Sequence, residues 1–461
     1  MATTKKYLYL NKEFNLILEK LEKKTLNIKD IEPYILKKAN LDNEQIIKEI
    51  AKLNRQKKIG SPESIIQEKK HYGEFLTSEF SEYLVNYQIG YKQLTKLFES
   101  KDIEEIIINN LDKVFIIDRN QNKELTGVSF TDKEYDEFID LLMNTVNKNF
   151  NKREFIDGAL PEGSRLNIVS KNVCNFQAIT IRKFTKKPLT IIDLINAGTL
   201  DSYTAAYLWT IIDGFKIRPA NVFVCGGTGS GKTTFLNVLL DFINKNERIV
   251  LIEDTAEVNI SDFDDSVSLL SDISNENSLF DITINTMRMR PDRIIIGEVR
   301  GKEVQGLFVA MDTGHNGCFA TIHSNNSEDT VSKLLNKPME ISESNIILLD
   351  IIIILNKKII NEKLTRKISQ ITEITKMGNI SLNHIYQDSG ISSTTTNIMS
   401  SHFAEKLCEI ANISKNQFKS IVEYRSRILE EICKNQPNIT REKLKTVIHS
   451  PEFEYKTILN K

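Results

Sequence analysis

Cysteine is scarce in this chain, with five in 461 residues. Cys174, Cys225, Cys318, Cys408 and Cys433 are scattered and form no CxxC pair, which argues against a zinc site and a disulfide framework. Reduced thiols in a cytoplasmic setting are the simplest account of them. Long hydrophobic runs are missing as well: the longest, Ile346 to Leu355, is broken by Asp350 and is too short to cross a bilayer. The opening Met-Ala-Thr-Thr-Lys-Lys leads into an amphipathic, charged stretch and not into the apolar segment of a signal peptide. Charge of one sign is lacking too. Sixty-one Lys and Arg against 62 Asp and Glu leave a formal net charge of −1, so the overall charge gives no ground for nucleic-acid binding. Internal repeats and low-complexity linkers are not evident.

What remains is a chain 40% hydrophobic and 27% charged, the balance of a globular protein with two or three domains. Residues 1–75 form a lysine-rich extension with helix-type spacing, as in Phe14, Ile17, Leu18 and Leu21, and again over Ile28–Lys38 and Asn43–Leu53. Its basic excess suits either an anionic membrane or partner, or simply a solvated helical face. Residues 76–185 read as α+β, with strands at 103–110, 114–119, 165–169 and 178–184 and a helix over about 131–147. Residues 186–200 read as a link. From 201 to 385 apolar strands at 221–225, 248–252, 293–297, 318–322 and 347–355 alternate with helices, which predicts an α/β core with a doubly wound, mostly parallel sheet. Residues 386–461 read as helical and charged, entered through a polar loop at 391–397.

One run carries most of the chemistry: Gly226, Gly227, Thr228, Gly229, Ser230, Gly231, Lys232, Thr233 and Thr234, between an apolar strand and a helix. Strand, glycine loop, Lys-Thr and helix is the context of a P-loop. The glycines let backbone N–H groups converge on a phosphate at the positive end of the helix. Lys232 is placed to reach the β- and γ-phosphates of a nucleoside triphosphate, and the Thr233 hydroxyl to ligate Mg²⁺.

Three further segments follow apolar strands. Ile252 runs into Glu253, Asp254 and, after two residues, Glu257. Carboxylates at the end of a parallel strand border the nucleotide crevice and either orient a water or hold a ligand of Mg²⁺. The apolar run after Arg293, Ile294–Ile296, leads into Gly297, where many P-loop enzymes have Asp, and then Glu298; Glu298 is expected to position water and to bind Mg²⁺, through water if not directly. His315 and His323, two of six histidines, flank a short strand eight residues apart. They suit a γ-phosphate sensor or a subunit interface.

Together these motifs resemble the type II/type IV secretion and pilus motor ATPases over about residues 100 to 375. The carrying residues are the GGTGSGKTT loop, the acidic box at Glu253–Glu257, the run Arg288–Gly301 and the GHNG…TIHSN box, with Asp157–Asn167 and Thr180–Phe184 upstream. The wording is closest to the tight-adherence and archaeal pilus or archaellum branch. The four-cysteine zinc insert of many type II enzymes is missing, and Glu162-Gly163 stands where the family usually has Asp-Gly.

The resemblance implies a RecA-like core with a smaller N-terminal domain, a homohexameric ring, and ATP with Mg²⁺ bound between the two domains. Arg165 and Arg182 are similar to arginines that complete such sites. Arg288, Arg290, Arg293 and Arg300 are further candidates, the last two for holding the Glu298 strand or bridging subunits. Implied partners are a polytopic membrane platform protein and, through it, prepilin-like subunits, with neither zinc nor nucleic acid. The implied location is the cytoplasmic face of the cell membrane. Transport of DNA or effector proteins, a non-catalytic nucleotide-gated subunit and a helicase are the competing readings.

Overall fold

Apolar spacing builds the described helices between Lys12 and Gln88. Helix Asn43–Leu53 buries Ile46, Ile50 and Leu53 on one face, and Ser61 caps helix Pro62–Gly73 through the Ser64 amide. With helices Lys12–Glu22 and Ser78–Gln88 they enclose a core that includes Ile17, Ile31, Phe80 and Leu84. The computed structural model describes residues 12–36, 39, 41–53, 58–119, 122–150, 154–183, 189–254, 257–270, 279–360, 363–377, 379–388 and 394–459. Phe184, residues 186–188 of the expected link, Thr255 and Ala256 of the acidic box, and residues 391–393 of the expected loop lie outside these.

The chain divides into two units, residues 1–186 and 187–461. Beyond its helices the first unit holds β1 (Ile103–Ile108), β2 (Val114–Asp118), β3 (Lys123–Leu125), β4 (Phe155–Ala159), β5 (Arg165–Val169) and β6 (Ala178–Arg182). They pair antiparallel in the order β3-β2-β1-β6-β5-β4. Alternation decides the faces: Leu166, Ile168, Ile179 and Ile181 point into the core, and Arg165, Asn167 and Arg182 lie on the other side. Helix Asp132–Val146, started by a Thr131/Glu134 capping box, covers the inner face with Tyr135, Phe138, Ile139 and Leu142. Helix Ser78–Gln88 belongs to the helical cluster before it and not to this α+β layer.

The second unit carries β7 (Val222–Gly226), β8 (Ile249–Glu253), β9 (Ser266–Leu270), β10 (Arg293–Val299), β11 (Phe319–Ile322), β12 (Ile351–Ile360), β13 (Lys363–Met377), β14 (Asn379–Asp388) and β15 (Thr394–Thr396). Their order is β15-β14-β13-β12-β7-β11-β10-β8-β9. Pairs from β12 to β9 are parallel and those from β12 to β15 antiparallel. β7, β8 and β11 are buried along their whole length, as strands covered on both faces must be. Val222 and Val224 face one core, Phe223 and Cys225 the other.

Several boundaries differ from the sequence reading. The expected link contains helix Ile191–Asn196, whose Ile191 and Ile192 are wholly buried in the second unit's core. The strand expected at 347–355 begins at Ile351, because Ile346–Leu348 is a 3₁₀ turn and Asp350 is held by Arg218 at 3.0 Å. Thr394–Thr396, within the expected loop, is the edge strand β15. The C-terminal helices complete the core: Leu407, Phe418, Ile421, Leu429 and Leu444 pack with the residues of β7 and of helix Lys232–Leu239. Among the described residues no helix is long and apolar enough to cross a membrane.

Candidate functional site

In a parallel sheet every strand delivers its last residues to one edge. β7 ends at Gly226 and helix Lys232–Leu239 begins six residues on. Gly229 and Gly231 take φ of 68° and 92°, a left-handed backbone that only glycine adopts without strain. The loop therefore lays its peptide groups at the helix start, where the dipole is positive. Ser230 is buried with its Oγ lacking a hydrogen-bond partner among the described residues. Lys232, only 7% exposed, sets its Nζ 3.4 Å from the Gly227 carbonyl oxygen and 3.4 Å from both ring nitrogens of His323. Thr233 stands half-buried in the first helical turn; Thr228 and Thr234 are exposed.

β11 and β10 bring the next groups to the same edge. His323 follows β11, and its Nε2 lies 2.8 Å from Oε1 of Glu298 near the end of β10. Arg300 donates from Nε to the other Glu298 oxygen at 2.8 Å and from its terminal nitrogen to Asp254 at 3.1 Å. Lys232, His323, Glu298, Arg300 and Asp254 thus form one continuous polar string. Partial burial, and after it the Lys232 ammonium, push the His323 imidazole below its ordinary pKa, against the pull of Glu298. Burial works against the Arg300 charge, yet Glu298, Asp254 and Glu257 raise its pKa overall.

Glu253 ends β8, 3% exposed, and its Oε1 accepts the amides of Glu257 at 3.0 Å and Val258 at 2.9 Å. It thereby ties the end of β8 to the chain at Glu257 and Val258. Asn237 of the P-loop helix donates to the Glu257 carbonyl at 3.3 Å.

The GHNG…TIHSN box holds both histidines in one motif, but the fold separates them. It precedes β11 and His323 follows it, so the strand carries them to opposite edges of the sheet, roughly 13 Å apart along the strand alone. His315 turns back on its own helix end, with Nδ1 3.2 Å from the Ala310 carbonyl oxygen. Arg293 lies at that far edge too, buried against Glu247 at 2.6 Å, where it anchors the start of β10. Arg288 and Arg290 are exposed. Arg165 and Arg182, in the first unit, are register partners on neighbouring strands, with Glu105 opposite Arg182 on its other side.

The sequence reading missed two cations at the glycine loop, Lys357 of β12 and Arg366 of β13. Arg366 donates from Nε to the Gly229 carbonyl at 3.1 Å. Neither belongs to a motif; the only signal was a charged stretch within a β-rich run.

A doubly wound sheet with a glycine loop, a Lys-Thr helix start and acids at the adjoining strand ends defines the RecA-like α/β core of ATPases. The chain belongs to the family described as Type II/IV secretion system protein, which matches residues 89–454. An uncharacterized protein of Methanocaldococcus jannaschii is 44% identical over 228 residues, which is 47% of this chain and 32% of that protein. A second from the same organism is 37% identical over 40% of this chain and 34% of its own length, so the chain spans about a third of these relatives. The probable conjugal transfer protein TrbB of Sinorhizobium fredii is 30% identical over 54% of this chain and 76% of its own. Among solved structures, the Legionella pneumophila ATPase DotB is a distant likeness, at 17% identity and a TM-score of 0.46 over 80% of this chain and 94% of that one.

Proposed function

We propose that this chain is a Mg²⁺-dependent ATPase that works as a ring-forming motor at the inner face of the cell membrane, driving a pilus-like filament or a type II-like secretion step. The string Lys232–His323–Glu298, drawn from the ends of three adjacent strands, carries the reading. The residues fit the implied ion and nucleotide: a left-handed glycine cradle, a buried lysine, a hydroxyl at the helix start and a carboxylate on the next strand but one.

The P-loop amides and Lys232 would hold the β- and γ-phosphates, with Thr233 and, through water, Glu298 on the metal side. Mg²⁺ would supply neutralisation of the phosphate charge. Lys232 leaves the His323 ring to meet the phosphates, which lifts the charge repulsion on the imidazole and leaves it bonded to Glu298. Glu298 orients the attacking water, and Glu253 or Glu257 helps to accept its proton. Arg165 and Arg182 are assigned to the phosphoryl charge. Such an arginine contributes on the order of 10³–10⁵ in turnover. His315, at the other edge of the sheet, is assigned to a subunit interface. Domain closure on nucleotide and reopening after hydrolysis would transmit motion to a polytopic membrane platform protein and from it to prepilin-like subunits.

A second reading, transport of DNA or effector protein, is favoured by relatives named as conjugal transfer and type IV secretion proteins. ATP hydrolysis by the purified chain with and without Lys232→Ala, alongside its mass with a non-hydrolysable ATP analogue, tests the motor. Lys232-dependent turnover in a six-subunit particle supports it. A monomer that binds ATP without turnover favours the nucleotide-gated subunit instead.

A further inference from the structure

β12 pairs with β7 as far as Leu355 opposite Gly226, the residue where β7 becomes the glycine loop. β12 then continues to Ile360, so Lys357 is carried two residues past that point, and the antiparallel register sets Arg366 of β13 directly opposite it. Both reach the loop. Lys357 Nζ stands 2.9 Å from where a Gly229 Cβ would be, and Arg366 Cδ 3.2 Å from where a Gly231 Cβ would be. Arg366 Nε holds the Gly229 carbonyl at 3.1 Å.

No carboxylate among the described residues pairs with either cation, whereas the adjacent Lys358 reaches Asp388 at 2.9 Å. Like charges directly opposite on paired strands repel, and these two face the positive end of a helix as well. An anion between hairpin and loop removes that repulsion. A surface lysine that does nothing is the plainer reading for Lys357 alone. It leaves unexplained the second cation placed opposite, bonded to the loop itself.

We propose that Lys357 and Arg366 form a cationic clasp that closes across the glycine loop onto the phosphate chain of the bound nucleotide. Arg366 exchanges its bond to the Gly229 carbonyl for phosphate oxygens when nucleotide enters. The clasp rests on the nucleotide reading of the P-loop, and its test separates the two.

Mg·ADP affinity is measured for the full chain, for Lys357→Ala, Arg366→Ala and the double variant, and for Lys232→Ala, with pyrophosphate as competitor. Charged hydrogen bonds of this kind are worth roughly ten- to a hundredfold each in affinity. The expected result is that loss for each clasp variant, a larger one for the double variant, and a parallel weakening of pyrophosphate competition. If Lys232→Ala abolishes binding while the double variant binds ADP and pyrophosphate like the parent, the clasp is overturned and the P-loop reading stands. Weakened ADP with unchanged pyrophosphate also overturns it, by moving the cations off the phosphates. If Lys232→Ala binds like the parent, both readings fall. Should the alanine variants melt early, Lys357→Gln and Arg366→Gln, which keep the bulk, are read the same way.

Discussion

Glu253 occupies the space that a side chain at position 297 would fill: a Cβ on Gly297 would lie 2.8 Å from Glu253 Cγ and 3.0 Å from its Oε1. The two residues lie on neighbouring parallel strands, one step past the Ile296–Ile252 pair. Glu253 thus fills, from β8, the space beside Gly297.

Gly297→Ala should therefore destabilise the second unit by about 1–3 kcal/mol, the usual cost of overpacking. The displaced Glu253 would also loosen its hold on the Glu257 and Val258 amides, so turnover should fall. Chemical denaturation of Gly297→Ala, Glu253→Ala and the double variant measures the coupling. Additive losses would mean that the two positions do not interact.

Acid should weaken the fold through histidine. Burial lowers the pKa of His449, whose Nε2 meets the Asp241 carbonyl oxygen at 2.8 Å, and partial burial with Lys232 lowers that of His323. Both therefore take up a proton less readily in the fold than in the unfolded chain. Below the unfolded value of about 6.5 the unfolded chain binds the extra proton first. Their contribution is thus fully present above that pH and is lost as pH falls toward the lowered folded values. His449→Gln, which keeps a donor for Asp241, should flatten the stability profile between pH 7 and 5. An unchanged slope would show that His449 does not carry it.

Arg165 and Arg182 are register partners although like charges placed so destabilise a sheet. Arg182 is half-exposed, and its ion pair with Glu105 is loose at 3.8 Å. Exposed pairs of that kind are worth about 0–1 kcal/mol. Arg182→Ala is expected to keep its melting temperature to within a few degrees and to lose on the order of 10³ in turnover. Normal turnover would leave the arginine pair without a catalytic role.

Arg441, in helix Arg441–Ile448, is buried against Asp241 at 2.6 Å and donates to the carbonyl of Asn237, in the P-loop helix, at 3.0 Å. Removing one partner of a buried pair costs about 3–5 kcal/mol. Arg441→Ala should unfold at markedly lower denaturant and weaken nucleotide binding with it. Little change would mean that the C-terminal helices add nothing to the stability of the core.

The P-loop, the strands around it and the place of Glu298 were legible because each is written locally: an apolar run, then glycines or an acid. The helix over Asp132–Val146 was legible from its apolar spacing, and Thr131 with Glu134 sharpened its start. What escaped depends on distance along the chain. Glu253 fills the Gly297 gap through strand pairing, which no motif records. Lys357 and Arg366 reach the loop only because β12 outruns β7. The C-terminal helices announce an apolar face but not what it covers. The separation of His315 from His323 was legible, because a strand between two histidines sends them to opposite ends of the sheet.

The most direct test compares ATP affinity and steady-state turnover for the parent chain and Glu298→Gln. Gln keeps the size of the side chain and its bond to His323 but lacks the negative charge that orients and polarises the attacking water. The parent should hydrolyse ATP, and the variant should bind it with similar affinity while turnover falls by about 10²–10⁴. Near-normal hydrolysis by Glu298→Gln would contradict the assignment of Glu298 and with it the proposed chemistry of the site.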